Sequence, residues 1–216
     1  IYLRNSRNQI QQRFKDGEFD KEAIPGNDIV TTIDAELQHY GQMLMQNKVG
    51  SVVAIEPQTG EILTLVSSPG IDVEMLADIG QHYDEIARDP HKPMFNRAVQ
   101  APYPPGSVFK LVTAAAALDS GVMTPNSSFY CGGHLQVSNI SYSCAASTEG
   151  GTTTVHGMQQ MEQALNNSCN VYFIQTGQAL GVSRFYDYFN AFGFTETTGV
   201  DLPSETPYLL YYTPEK

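Results

Sequence analysis

Ser107-Val108-Phe109-Lys110 follows Pro104-Pro105-Gly106, which breaks any preceding helix, and opens the best helix former of the chain, Ser107 to Leu118. A residue three positions on lies on the same helical face, so Lys110 comes within reach of the Ser107 hydroxyl. A serine is a poor nucleophile until a base removes its proton. A lysine whose pKa is lowered by burial supplies the neutral amine for that step. The N–H groups of the first turn favour negative charge developing beside Ser107. Spacing alone leaves nucleophile and helix N-cap both open for this serine.

Ser168-Cys169-Asn170 lies where two helical patterns meet, and its hydroxyl and carboxamide can project together from a bend. Ser168 could relay a proton between Lys110 and a leaving group while Asn170 holds a substrate amide, with a plain helix cap as the alternative for Ser168. Cys169 reads as a small buried filler rather than a rival nucleophile. Cys131, His134, Cys144 and His156 carry zinc-ligand chemistry. Their spacings match none of the compact structural-zinc patterns, so free thiols are the simpler expectation and no residue is assigned to a metal or cofactor. His39, His82 and His91 fall in no metal or triad pattern.

The elements that must position these groups follow from periodicity and turn chemistry. Thr31, Thr32 and Asp34 are N-cap types ahead of Leu37, Tyr40, Gly41 and Leu44, which predicts an amphipathic helix ending near Asn47. Two β-branched runs, Gly50 to Glu56 and Glu61 to Val66, flank Pro57-Gln-Thr-Gly60 and predict a hairpin central in a sheet covered on both faces. Residues 67–106 read as irregular and 119–155 as a long surface excursion. Helices are expected at about 157–166, 169–180 and 183–192, with Gly181 and Gly193 as stops, and an extended end over 194–216. The aromatic side chains from Tyr172 to Phe194 recur at helical spacings and read as core packing.

With 216 residues, 41% hydrophobic and 16% charged, the chain can bury the core of one large domain. Its net charge of −11 opposes general nucleic-acid binding. No apolar run reaches the ~18 residues of a membrane span. Residues 1–28 hold five of the twelve basic residues and close at Pro25-Gly26, and they read as the tail of a preceding domain.

Six segments stand in a telling order: Thr32-Ile33-Asp34, Gly50 to Leu63, Asn96-Arg97-Ala98, Pro105 to Lys110, His156-Gly157 and Asn167 to Asn170. Over about residues 24 to 207 the chain resembles class B penicillin-binding proteins of the penicillin-binding protein 2 type. The resemblance implies an α/β (α+β) transpeptidase domain, with helices flanking a mainly antiparallel sheet. It implies a peptidoglycan D,D-transpeptidase in which Ser107 is nucleophile, Lys110 general base, and Ser168 and Asn170 serve proton relay and substrate binding. No metal or organic cofactor is expected for that reaction. Expected partners are stem peptides ending in D-Ala-D-Ala, β-lactams that acylate the serine, and cell-wall elongation proteins. The expected site of action is the outer face of the cytoplasmic membrane, with an N-terminal anchor outside this chain. Placed there, Cys131 and Cys144 have a disulfide as the alternative to free thiols.

The alternatives to a transpeptidase are a D,D-carboxypeptidase or serine β-lactamase, which pass the acyl group to water, and a penicillin-sensing or scaffolding domain without turnover. The family's third motif, Lys-Thr-Gly or Lys-Ser-Gly, is missing from the sequence, and Lys48-Val49-Gly50 precedes the nucleophile and lacks the hydroxyl. Residues 1–28 are therefore expected to end a non-catalytic pedestal, and 29–216 to form the N-terminal portion of the transpeptidase domain.

Overall fold

The computed structural model describes residues 1–22, 24–144 and 155–205. At the start, Tyr2–Arg4 (β1) and Ile10–Arg13 (β2) pair antiparallel, exposed along their length. The predicted helix near residue 35 is Ala35–Leu44 (α1), and the Asp34 carboxylate caps it by accepting from Leu37 N at 2.9 Å.

The predicted hairpin is Gly50–Ile55 (β3) against Ile62–Ser68 (β4), in a register that sets Val52 opposite Val66 and Val53 opposite Leu65. Helix α1 lies on β4 at Gly41, where an added Cβ would stand 3.0 Å from Val66 Cγ2; only glycine permits so close an approach. The Gln38 amide works along the outer edge of β4 like another strand, accepting from Leu65 N at 2.8 Å and donating to Leu65 O at 3.0 Å. Asp34 N to Leu63 O at 2.9 Å extends this cover. The expectation of a hairpin covered on both faces is corrected. Among the described residues β3 and β4 form a two-stranded sheet, and Val53, Ile55, Ile62 and Leu65 face an apolar cavity of about 570 Å³. Phe109, Phe185, Phe189 and Phe194 close its far side.

Residues 67–106 are more ordered than their turn-rich composition suggests. They hold Val73–Ala77 (α2), Ile79–Arg88 (α3) and Arg97–Gln100 (α4). Asp72 and Asn96 cap α2 and α4 by accepting from Glu74 N at 2.9 Å and Ala98 N at 3.1 Å, so capping side chains start helices that apolar periodicity hardly marks. Arg97 is buried, and its guanidinium donates to the carbonyls of His91, Lys92 and Phe95. The Asn96-Arg97-Ala98 segment thus ties the loop before α4 to the hairpin, where Arg97 N donates to Ser67 Oγ at 2.9 Å.

The main helix, Phe109–Asp119 (α5), continues a 3-10 turn over Gly106–Val108. The expected surface excursion carries Ser128–Cys131 (β5), His134–Val137 (β6) and Ile140–Ser143 (β7). Residues 157–160, expected to be helical, form the strand Gly157–Gln160 (β8), which pairs with β5 and leaves the helix to Met161–Asn166 (α6). A free neighbouring strand outweighs local propensity here. Asn170–Leu180 (α7) and Val182–Ala191 (α8) follow close to their expected positions. Gly181, at φ 77°, separates them in a conformation that favours glycine. The described part of the expected extended end, 194–205, is turns and bends; the rest of it lies outside the described residues.

The core gathers Ala114 and Ala117 of α5, Ala164 of α6, and Val171, Tyr172 and Phe173 of α7 around the three cysteines. The small alanine face lets α5 and α7 approach closely. Aromatic packing is borne out at Tyr172, Phe173 and Phe189, which are buried, whereas Phe192 is half exposed.

Candidate active site

Packing of α5 against α7 brings together all four residues singled out in Ser-x-x-Lys and Ser-x-Asn. Lys110 Nζ stands 3.1 Å from Ser107 Oγ, 2.9 Å from Ser168 Oγ, 2.7 Å from Ser168 O and 2.7 Å from Asn170 Oδ1. Ser168 Oγ lies 2.9 Å from Ser107 Oγ, so the two hydroxyls and the amine form a closed triangle. A neutral amine has two N–H bonds and one lone pair. The two carbonyl-type oxygens can only accept, so they take the two N–H bonds and leave the lone pair for the hydroxyls. That is the geometry of a base poised on Ser107.

Local structure explains each placement. Gly106, at φ 61°, turns the chain sharply into the 3-10 turn that carries Ser107. The Ser107 hydroxyl makes no capping bond; the cap positions of the turn and of α5 fall on Pro105 and Val108. Ser168 does not cap α7 either. That role falls to Cys169, whose Sγ accepts from Tyr172 N at 3.4 Å. Ser168 itself holds φ 48°, an uncommon left-handed conformation for a residue with a side chain. Bonds from Ser168 N to Leu165 O and from Cys169 N to Ala164 O, at 3.0 and 2.8 Å, keep it there. The Asn170 amide is oriented by donation from Nδ2 to Ser143 O at 3.2 Å, which turns Oδ1 towards Lys110.

Burial lowers the pKa of Lys110 below the ordinary lysine range, outweighing the opposing influence of the neighbouring Cys144 and Cys169 sulfurs. The neutral, active amine therefore populates at lower pH than a surface lysine would allow. Acylation of the full-length protein is expected to rise with pH, with its midpoint below that of an unperturbed lysine, in stopped-flow or quenched labelling across a pH series. A flat profile through the whole range would exclude Lys110 as the titrating base.

Next to this constellation stands a second one. The ligand atoms of Cys131, Cys144, His156 and Cys169 all lie within 4.8 Å of one another. Cys131 Sγ and Cys144 Sγ are 3.6 and 3.3 Å from His156 Nδ1, and Cys144 Sγ is 3.6 Å from Cys169 Sγ. Zinc at tetrahedral Zn–S and Zn–N lengths spans S···S and S···N edges of about 3.5–3.8 Å, so the donor set fits a closed zinc site. Of the zinc-ligand types noted in the sequence, His134 drops out, standing instead 3.3 Å from Ser143 Oγ across the β6–β7 ladder, and Cys169 takes its place. The three cysteines are free thiols in the structure, without the Cys131–Cys144 disulfide. Burial raises the Cys131 thiol, but hydrogen bonds from His156 and Gly133 more than offset this and hold it at about 7. Burial dominates at Cys169 and pushes it up to about 12. A metal would remove the proton from both.

The site is a serine one helical turn before a lysine, faced by a serine and an asparagine from a second helix, beside an antiparallel hairpin. The family described as penicillin binding protein transpeptidase domain matches residues 50–209, and the chain belongs to it. It is 34% identical over 197 residues to the peptidoglycan D,D-transpeptidase MrdA of Acinetobacter baumannii, covering 90% of this chain and 29% of that protein. The crystal structure of Pseudomonas aeruginosa PBP2 in complex with WCK 5153 superposes with a TM-score of 0.72 at 31% identity, over 87% of this chain and 42% of that one. An imipenem acyl-enzyme complex of penicillin-binding protein A from M. tuberculosis gives 0.68 at 32% identity, over 77% and 40%. The chain therefore spans less than a third of the length of its MrdA relative.

Proposed function

We propose that this chain carries the nucleophile-bearing part of a peptidoglycan D,D-transpeptidase. The observation that carries this reading is the Lys110 amine held among Ser107, Ser168 and Asn170 at 2.7–3.1 Å. Lys110 takes the Ser107 proton as Oγ attacks the carbonyl of the D-Ala-D-Ala bond of a stem peptide. Ser168, bonded to both groups, passes that proton to the departing D-Ala amine. The Asn170 amide, fixed by Ser143 O, binds a substrate amide. The amine of a second stem peptide then displaces Ser107 and completes the cross-link. β-Lactams enter at the same step and stay as acyl-enzymes, as imipenem does in the M. tuberculosis relative. Residues 1–28 end a non-catalytic pedestal and 29–216 begin the transpeptidase domain. The protein works at the outer face of the cytoplasmic membrane beside cell-wall elongation proteins; no described helix is long and apolar enough to cross a membrane.

Zinc, held by Cys131, Cys144, His156 and Cys169, would supply no acid–base chemistry, because four protein ligands close its coordination. Bound there, it would lock Cys169 between Ser168 and Asn170. Metal analysis of the full-length protein is expected to find one zinc per chain. Ligand binding to the native state at a thousand times Kd stabilises by about 4 kcal/mol, or roughly 10 °C for a domain of this size, so chelation is expected to lower Tm by that order. Protein that is free of zinc as isolated and indifferent to a chelator would remove this part of the reading.

The reaction itself is tested with a disaccharide pentapeptide donor and an acceptor peptide. Released D-Ala accompanied by cross-linked dimer supports transpeptidation. Release with only tetrapeptide identifies a carboxypeptidase, and acylation without release identifies a sensor.

A further inference from the structure

Acyl transfer consumes none of the three thiols beside the Ser168–Asn170 turn, yet two of them are placed where a bond between them would act on the site. Cys144 Sγ and Cys169 Sγ are 3.6 Å apart, and both residues are buried. Cys144 directly follows Ser143, whose carbonyl orients Asn170, and Cys169 lies between Ser168 and Asn170. A disulfide needs about 2.05 Å between the sulfurs, so the two must close by roughly 1.5 Å. Little slack exists to absorb this, because Cys169 Sγ accepts from Tyr172 N at 3.4 Å and Ser168 already holds φ 48°. Cys131 sits in the β5–β8 ladder opposite Gly157, whereas Cys144 stands just past the last pair of β6 and β7, where its N donates to Gly133 O at 2.7 Å.

We infer that Cys144 and Cys169 are an oxidation site: in the metal-free protein a peroxide joins them as a disulfide, which draws the 168–170 turn away from Lys110. The inference rests on the proposed zinc and acyl-transfer roles of the neighbouring groups. One thiol, losing its proton, attacks a peroxide oxygen. The O–O bond breaks, a sulfenic acid forms, and the departing hydroxide takes the proton to become water. The second sulfur then attacks the sulfenic sulfur, forming S–S as the S–O bond breaks, and the second hydroxide leaves with that thiol's proton as water. Two thiols and one peroxide give one disulfide and two waters; the sulfur pair gives up two electrons and the peroxide accepts them. With zinc in place the sulfur lone pairs are engaged in metal bonds, so the loaded protein resists.

The test uses full-length protein, zinc-loaded or stripped by chelator under reductant, then exposed to hydrogen peroxide. Peptide mapping without reduction and fluorescent-penicillin labelling are read on both. In stripped protein a Cys144–Cys169 cross-linked peptide is expected. Its labelling should fall about 100-fold relative to the same protein before peroxide, the scale of a 1 Å misplacement in a catalytic site, and return with dithiothreitol and zinc. Cys131→Ser should still form the cross-link, and stripped Cys144→Ser should keep its own pre-peroxide labelling rate. A disulfide through Cys131, no disulfide at all, or a cross-link that leaves labelling unchanged would overturn the inference. Zinc content and labelling of untreated protein are measured first. Their failure would sink the functional reading, while the peptide map judges the oxidation site in either case.

Discussion

Ser107→Ala is expected to leave no covalent adduct when the full-length protein is treated with penicillin, and to cut D-Ala release by about 10⁴-fold or more. Three nucleophiles crowd this corner, and geometry separates them. Ser107 Oγ lies 3.1 Å from the Lys110 amine at the start of α5, where the helix N–H groups favour the charge of a tetrahedral intermediate. Ser168 Oγ is as near to Lys110, at 2.9 Å, but it belongs to a turn held by main-chain bonds. Cys169 is fully buried, and its thiol is pushed up to about 12. Intact-mass and peptide analysis decide the matter: an adduct on Ser168 or Cys169 that survives the alanine substitution would reassign the nucleophile.

Lys110→Arg is expected to slow acylation by about 10² to 10⁴-fold, the usual contribution of a positioned general base, while circular dichroism shows a retained fold. Arginine keeps the positive charge and the donors towards Ser168 O and Asn170 Oδ1, but a guanidinium is not deprotonated at any working pH. The substitution therefore separates charge from basicity. If charge alone mattered, as it would for a residue that only holds Ser168 and Asn170 in place, the arginine variant would retain most of its activity and the pH profile of acylation. Near wild-type rates would assign the base role elsewhere, with Ser168 as the next group to replace.

Much of the candidate site is legible in the sequence because it is local. Lys110 comes three positions after Ser107, and helical geometry alone puts them on one face once Pro105 and Gly106 start the turn. The β3–β4 hairpin, the Asp34 cap and the Gly181 break between α7 and α8 are likewise decided by residues within a few positions of one another. Where local signals compete with distant partners the sequence misleads. Residues 157–160 form a strand because β5, more than 25 residues earlier, offers unpaired backbone. Helix α3 escapes notice because its neighbours are turn formers.

Tertiary structure alone decides what joins Ser107 to Ser168, 61 positions apart. Only the close packing of α5 on α7, over alanines, turns two weak motifs into one triangle of hydroxyls and amine. Only the meeting of β5, β7, β8 and the α7 N-cap assembles three sulfurs and His156. Strand geometry excludes His134, whose side chain lies beside Ser143 across the β6–β7 ladder, and packing recruits Cys169, which looks like a filler in isolation. Residue type names the chemistry each side chain can do. Which of them share a few ångströms depends on non-local packing, and that is not written in any single stretch of chain.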